Sequence, residues 1–343
     1  MSDGPLPEDP LPEDPPPEDP PPGNPLPPDD DPEAGMDPRL VRQDIAPYAA
    51  FLSASRRRRL VEPEGTVWAW SGLNAVRELR HHQKDSPVRV IAVHGAGAHA
   101  AALWPVASQL AERGIDVRVP DLPGYGRTSM RDPKSVRYTD WIHMLGDMIE
   151  EGDDGRPLLL LGGSIGGMLA LEVAARLPDQ VSAVAATCLL DPADPEARAR
   201  MTRFGGAGTA AMRMLPLVRG GLADRMLPVS ALADVSSMGR VPALGALCAR
   251  DPRGGGARMP LGFWRSYLEH PHEAVRTVPV PVTLLHPEHD AWTPLALSAR
   301  TLHALPGPTD TVILRGGGHF PVEDRALDDL VTAIERIIAR VVD

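Results

Sequence analysis

The sequence predicts an α/β fold: a mostly parallel central sheet with helices on both faces and a helical insertion. Three observations predict it. Apolar runs of strand length alternate with amphipathic runs of helical period over most of the chain. Several of those apolar runs are continuous rather than alternating, as strands buried on both faces require. The rhythm then stops between Asp191 and about Val278, and 88 residues are too many for a loop.

The first 38 residues stand apart. LPEDP, LPEDP and PPEDP repeat with a five-residue period from residue 6, and residues 1–38 hold fifteen prolines and twelve acids with no Lys or Arg. Such a composition has no core to form and predicts extended, polyproline-like disorder. It serves either as a solubilising tail or as a dock for a proline-recognising partner, which the sequence does not identify. The tail also accounts for the net charge of −11, because the rest of the chain balances 35 basic against 34 acidic residues. A near-neutral body lacks the basic excess of a nucleic-acid binder. The N-terminus has no basic, then apolar, leader pattern, and no apolar stretch reaches the length of a membrane span, so the expected location is cytoplasmic. Cys188 and Cys248 are too few for a disulfide framework, and Cys188 in VAATCLL reads as a small core residue.

The elements follow in order. From about Val41, VRQDIAPYAAFLSAS is amphipathic and ends in Arg56–Arg59, read as a solvated run at a helix end. VWAW and AVREL are short strands, and VRVIAVHG (88–95) is a continuous one. AALWPVASQLAERG has helical spacing and a glycine stop. IDVRVPD, PLLLLGG and VSAVAATCLLD are strands separated by the helices YTDWIHMLGDMIEE and IGGMLALEVAARLP. After the insertion come VPVTLLHPEHD (strand), PLALSARTLHAL (helix), DTVILRGGGH (strand) and DRALDDLVTAIERIIARVV (helix). The chain thus divides into a tail (1–38), a first core part (39–190), a helical cap insertion (191–278) and a second core part (279–343).

Chemistry in an open parallel sheet sits at the carboxyl ends of its strands. Ser164 falls there, between a strand and a helix, within Gly162-x-Ser164-x-Gly166. A sharp strand-to-helix turn holds such a serine in a strained backbone, and its neighbours must be small. A serine hydroxyl needs a base, and the base needs an orienting acid. Asp290 follows a late strand and His319 the next, in the order Ser, Asp, His that this turn predicts. Asp191, also just past a strand, is the second candidate acid, although Asp191-Pro192 fits a turn. The oxyanion donors expected are the N–H of Ile165, next to the serine, and that of Ala96 in the loop His94–Gly97.

Taken with DLPGYGRT (121–128), HPEHDAWTP (286–294) and GGGHFPVE (316–323), the motifs VHGAG (93–97) and GGSIGG (162–167) make residues 60–343 resemble the α/β-hydrolase superfamily, in particular its capped esterases and lysophospholipase-like hydrolases. The resemblance implies the α/β-hydrolase fold, a Ser164–His319–Asp290 triad, a cap over the site, no metal or organic cofactor, and a small-molecule ester substrate. Many relatives carry histidine or another larger residue where this chain has Gly163. Serine rather than aspartate at 164 sets the chain apart from the dehalogenase and epoxide-hydrolase branches.

Other readings compete. Acyl transfer, thioester cleavage or a non-hydrolytic role is open to the same fold. GAGAHA (95–100) fits a dinucleotide fingerprint, with Asp121 as its ribose-binding acid, which would make the chain an oxidoreductase. His286, His289 and Asp290 have donor types suited to metal but lack a second cluster. In the insertion, Met201, Met212, Met214, Met226, Met238 and Met259 form either its own core or an adaptable lid. Phe263, Trp264 and Tyr267 line the pocket or anchor the cap, and Arg203 or Arg213 is available for an acidic head group.

Overall fold

The computed structural model describes residues 35–71, 74–201 and 214–342. The proline-rich repeats, and Arg203, Met212 and Arg213, lie outside the described residues.

Two strands form an antiparallel hairpin, β1 (Glu64–Trp70) and β2 (Asn74–His81), with Glu64 opposite Arg80. The strands β3 (Arg89–Val93), β4 (Asp116–Pro120), β5 (Leu158–Gly162) and β6 (Ala183–Ala186) follow. A small separate ribbon pairs β7 (Met226–Pro228) with β8 (Arg258–Pro260), and β9 (Val282–Pro287) and β10 (Thr309–Leu314) return to the main sheet. The sheet order is β1-β2-β4-β3-β5-β6-β9-β10. β2 runs antiparallel to both its neighbours, β1 and β4, and β4, β3, β5, β6, β9 and β10 are mutually parallel.

The central strands are apolar because both faces are covered. RVIAV and LLLLG are buried at every position. Helices α3 (Ala100–Ala111), α4 (Tyr138–Glu151) and α5 (Ile165–Arg176) connect the parallel strands. Near the N-terminus, α1 (Pro38–Ala49) begins three residues ahead of the expected Val41, because the Asp37 carboxylate caps the Arg39 N–H at 2.7 Å and Pro38 suits the first turn.

The arginine run departs from expectation. Arg56, in the one-turn helix α2 (Ala54–Arg58), is buried at 7% exposure. It pairs with Asp324 at 2.8 Å and Asp328 at 2.6 Å. Its guanidinium also meets the Gln109 side chain. The fork geometry of arginine lets one side chain join the N-terminal segment to α3 and to the C-terminal helix. Arg57 behaves as expected, donating to the Ala50 carbonyl at the end of α1.

The insertion contains α6 (Pro195–Arg200), the ribbon β7–β8, α7 (Pro242–Arg250) and α8 (Leu261–Glu269), with single helical turns between them. Met238 and Met259 are buried in the main core, whereas Met214 is exposed. Phe263, Trp264 and Tyr267 are anchors: Phe263 packs on Trp141 of α4 at 4.6 Å between ring centroids, and Tyr267 meets Tyr138 at 5.0 Å. Beyond β9, α9 (Leu295–His303) and α10 (Asp324–Val342) close the layers. Helix α10 buries Ala326, Leu327, Leu330, Val331, Ala333, Ile334 and Ile337, one stripe of helical period. No helix among the described residues is long and apolar enough to cross a membrane.

Leu160 of β5 is fully buried and Leu295 is exposed. Leu160→Ala is expected to destabilise the fold by about 3 kcal/mol in urea denaturation. Leu295→Ala is expected to change it by less than about 0.5 kcal/mol.

Candidate active site

Strands β3 and β5 are parallel neighbours that end level, with Val93 opposite Gly162. The loop after one therefore meets the turn after the other. The Gly163 N–H donates to the Val93 carbonyl at 2.8 Å, and the Ser164 N–H donates to Thr187 Oγ1 at 3.1 Å. Ser164 has φ 53° and ψ −128°, a strained conformation for a residue with a side chain. The approach is so close that a Cβ on Gly95 would lie 2.6 Å from the Ser164 Cβ. A Cβ on Gly166 would lie 2.6 Å from the Val93 carbonyl oxygen. Gly163 differs: a Cβ there meets only Val93 O, at an ordinary 3.6 Å.

Asp290 and His319 stand after β9 and β10, the pair of strands beyond β6. Their side chains meet, with His319 Nδ1 donating to Asp290 Oδ2 at 2.7 Å. Three further donors hold the carboxylate. The Trp292 and Thr293 N–H groups reach Oδ1 at 2.9 and 2.8 Å, and the Thr293 hydroxyl reaches Oδ2. Burial pushes the Asp290 carboxyl up, but His319 and the Thr293 donors outweigh it and hold the group down at about 2. The Trp292 ring stands edge-on to His319, with centroids 4.7 Å apart. His319 Nε2 is buried with no partner among the described residues.

His319 and Ser164 line the same cleft, which encloses about 620 Å³, part of it open to solvent. Ala96 and Gly163 line it too, and Leu103, Val106, Met238, Phe320 and Leu330 make its walls apolar. Ile165 opens α5, so its N–H belongs to the free donors at the helix start. Below the serine lies Cys188, a buried thiol whose ionisation is pushed up, first by burial and then by the Asp290 charge.

The other candidates go elsewhere. Asp191 accepts from the Ala193 N–H at 2.8 Å as a turn residue. Asp121 is occupied by the Ala100 N–H at 2.6 Å and the Arg127 N–H at 2.8 Å, which leaves it no role toward a ribose. His289 is half exposed and 3.8 Å from Glu288, and His286 Nδ1 is buried without a partner among the described residues. HPEHD thus brings no set of metal donors together.

Sequence reasoning missed several supports. Thr293 and Trp292 follow Asp290 at cap-like spacing, the one signal that could have found them. Thr187 left no signal. His94 was legible only as a loop residue. It is buried, its Nδ1 donates to the Gly95 carbonyl at 2.9 Å and its Nε2 accepts from the Leu122 N–H at 3.0 Å. Burial lowers it to about 3, so it stays neutral and braces the loop. Behind that loop, His99 donates to Asp251 Oδ2 at 3.0 Å, and Tyr48 of α1 donates to the same oxygen at 2.7 Å.

Residues 90–333 match the model of the alpha/beta hydrolase family. The chain belongs to that family. A lipase of Mycobacterium tuberculosis, LipV, is 33% identical over 115 residues, covering 34% of this chain. The match spans 41% of that lipase, less than half its length. Among solved structures, a soluble variant of the Saccharomyces cerevisiae monoglyceride lipase, in complex with a substrate analogue, superposes with a TM-score of 0.64 at 15% identity, covering 82% of this chain and 95% of that one. The Paleococcus ferrophilus monoacylglycerol lipase gives 0.57 at 19% identity, covering 77% and 98%. At these identities the structural matches establish the fold.

Two outcomes test the packing of the site. Gly166→Ala is expected to cost at least about 2 kcal/mol in chemical denaturation, and Gly163→Ala less than about 1 kcal/mol. The Asp290 carboxyl lies below its unfolded value of about 3.9, so its stabilisation of about 2 kcal/mol is complete above about pH 5 and is lost as pH falls through 2. The stability gap between the wild type and Asp290→Asn should therefore narrow between pH 5 and pH 2 in denaturant titrations.

Proposed function

We propose that this chain is a serine hydrolase that cleaves carboxylic esters with an apolar acyl group. The observation that carries the reading is the His319 imidazole. One nitrogen is held by the Asp290 carboxylate at 2.7 Å, the other has no partner among the described residues, and His319 and Ser164 line the same cleft.

On this reading the Ser164 hydroxyl attacks the ester carbonyl carbon while His319 Nε2 takes its proton. Asp290 accepts from Nδ1–H, fixes the productive tautomer and stabilises the imidazolium as it forms. The N–H groups of Ala96 and Ile165 receive the carbonyl oxygen as it gains negative charge. The C–O bond of the leaving alcohol then breaks, and His319 returns the proton to that oxygen. Water enters, gives a proton to His319 and attacks the acyl-enzyme. Collapse releases the acid and restores Ser164. The apolar walls formed by Leu103, Val106, Met238, Phe320 and Leu330 suit an acyl chain. The lipase names of the relatives agree with this substrate class.

A fluorophosphonate probe is expected to label the wild type and not Ser164→Ala, whose kcat on an acyl ester should fall by about 10⁴-fold or more. Asp290→Asn should lose comparable activity, and Asp191→Asn should stay close to wild type. Labelling that survives in Ser164→Ala, or inactivation by the Asp191 change alone, would overturn the mechanism. A panel of acyl-chain lengths would report the depth of the cleft.

A further inference from the structure

A second constellation lies on α5, two turns beyond the serine. Glu172 of α5 is fully buried. His270 caps α8, and His272 lies in the segment that returns from the insertion to β9. His272 Nδ1 is 2.9 Å and His270 Nε2 is 3.3 Å from the same oxygen, Glu172 Oε1. One donor atom from each of the three residues falls within 4.8 Å of the others. The reading of Ser164 as nucleophile uses none of them.

We propose that Glu172, His270 and His272 form a zinc site that fastens the returning end of the insertion to the helix carrying Ser164 at its start. Zinc bonds to imidazole nitrogen and carboxylate oxygen are about 2.0–2.1 Å, which sets tetrahedral donors about 3.3 Å apart. The two nitrogen–oxygen separations, those of hydrogen bonds in this structure, lie close to that edge. Two imidazoles and one carboxylate form a borderline set that favours zinc over the oxygen-seeking magnesium or calcium. Arg176 holds the carboxylate from its other oxygen, so Oε1 is presented for a single metal bond.

Charge balance alone does not explain this group. Arg176 by itself neutralises Glu172, yet two histidines are also brought in, and both nitrogens press on one oxygen. His272 adopts φ 47° to reach it, a conformation that only three residues other than glycine share among the described residues, Ser164 being another. A second observation points to an absent ligand. The hydroxyls of Tyr138 and Tyr267, whose rings pack on these histidines, are buried with no partner among the described residues. The Tyr138 ring packs 5.2 Å from His270 and 5.5 Å from His272, and the Tyr267 ring 5.9 Å from His272. A zinc ion with these three ligands keeps a fourth position for water.

The test uses the full chain, freed of metal by a chelator that is then removed. Titration with zinc sulfate should give about one ion per chain with a Kd below about 1 µM, and the melting temperature should rise by about 5 °C, while magnesium at the same concentration leaves it unchanged. His270→Ala, which truncates the least buried ligand, should weaken zinc binding by about 100-fold. Should that variant fail to fold, the cobalt-loaded wild type decides. Intense visible absorption of a four-coordinate nitrogen and oxygen site supports the proposal, and the pale spectrum of octahedral cobalt overturns it. The proposal also fails if the wild type takes up no zinc at that affinity, or if a folded His270→Ala binds it as tightly. The site is independent of the ester-cleaving reading, since its readouts are metal content, spectrum and melting temperature.

Discussion

The backbone contact between the ends of β3 and β5 is the constraint on which the rest of this site depends. Two parallel neighbours that end level bring the Gly95 loop within van der Waals reach of the Ser164 turn. Hydrogen bonds at this spacing reward close approach, and any added side-chain atom at Gly95 or Gly166 meets backbone or the serine itself. Everything that gives the serine its setting follows from the contact. The strained φ of Ser164 persists because the Val93 carbonyl and the Thr187 hydroxyl hold the successive N–H groups of Gly163 and Ser164. Ala96 reaches the cleft because its loop has nowhere else to lie.

A second layer keeps the loop in place. Neutral His94 spans the Gly95 carbonyl and the Leu122 N–H, so the loop and the segment after β4 move as one. Asp251, from the insertion, gathers His99 and Tyr48 onto one carboxylate oxygen. The N-terminal helix, the loop beside the serine and the insertion are thus joined through a single carboxylate. Losing it would leave a buried tyrosine and a buried histidine without a partner, a larger penalty than the loss of two ordinary hydrogen bonds.

How much of this was legible depended on how local the cause was. Strand β5 and its turn could be read from LLLLGGSIGG because continuous burial and clearance each leave a mark on adjacent residues. Asp290 and His319 were legible through the strands that precede them. Arg56 was misread because its partners, Asp324 and Asp328, lie far along the chain, and a run of four arginines looks solvated without them. Glu172, His270 and His272 escaped notice for the same reason: nothing near Glu172 in sequence announces two histidines about a hundred positions away. Gly163 was the puzzle of the turn, and clearance does not explain it. Gly162, Gly166 and Gly167 are glycine because the backbone forbids anything larger, whereas position 163 has room and opens onto the cleft.

The order in which the cleft is assembled bears on how the chain is made. Ser164 precedes Asp251, Asp290 and His319 in the chain, and its turn packs against Val93 and Gly95, which come before it, and against Thr187, which comes after. Asp290 and His319 stand after β9 and β10 at one edge of the sheet, and parallel pairings between strands so far apart in sequence are slow to form. Until β9 pairs with β6, Ser164 shares its cleft with neither side chain. The cleft that Ser164 and His319 share is thus complete only once the last two strands of the chain have paired into the sheet.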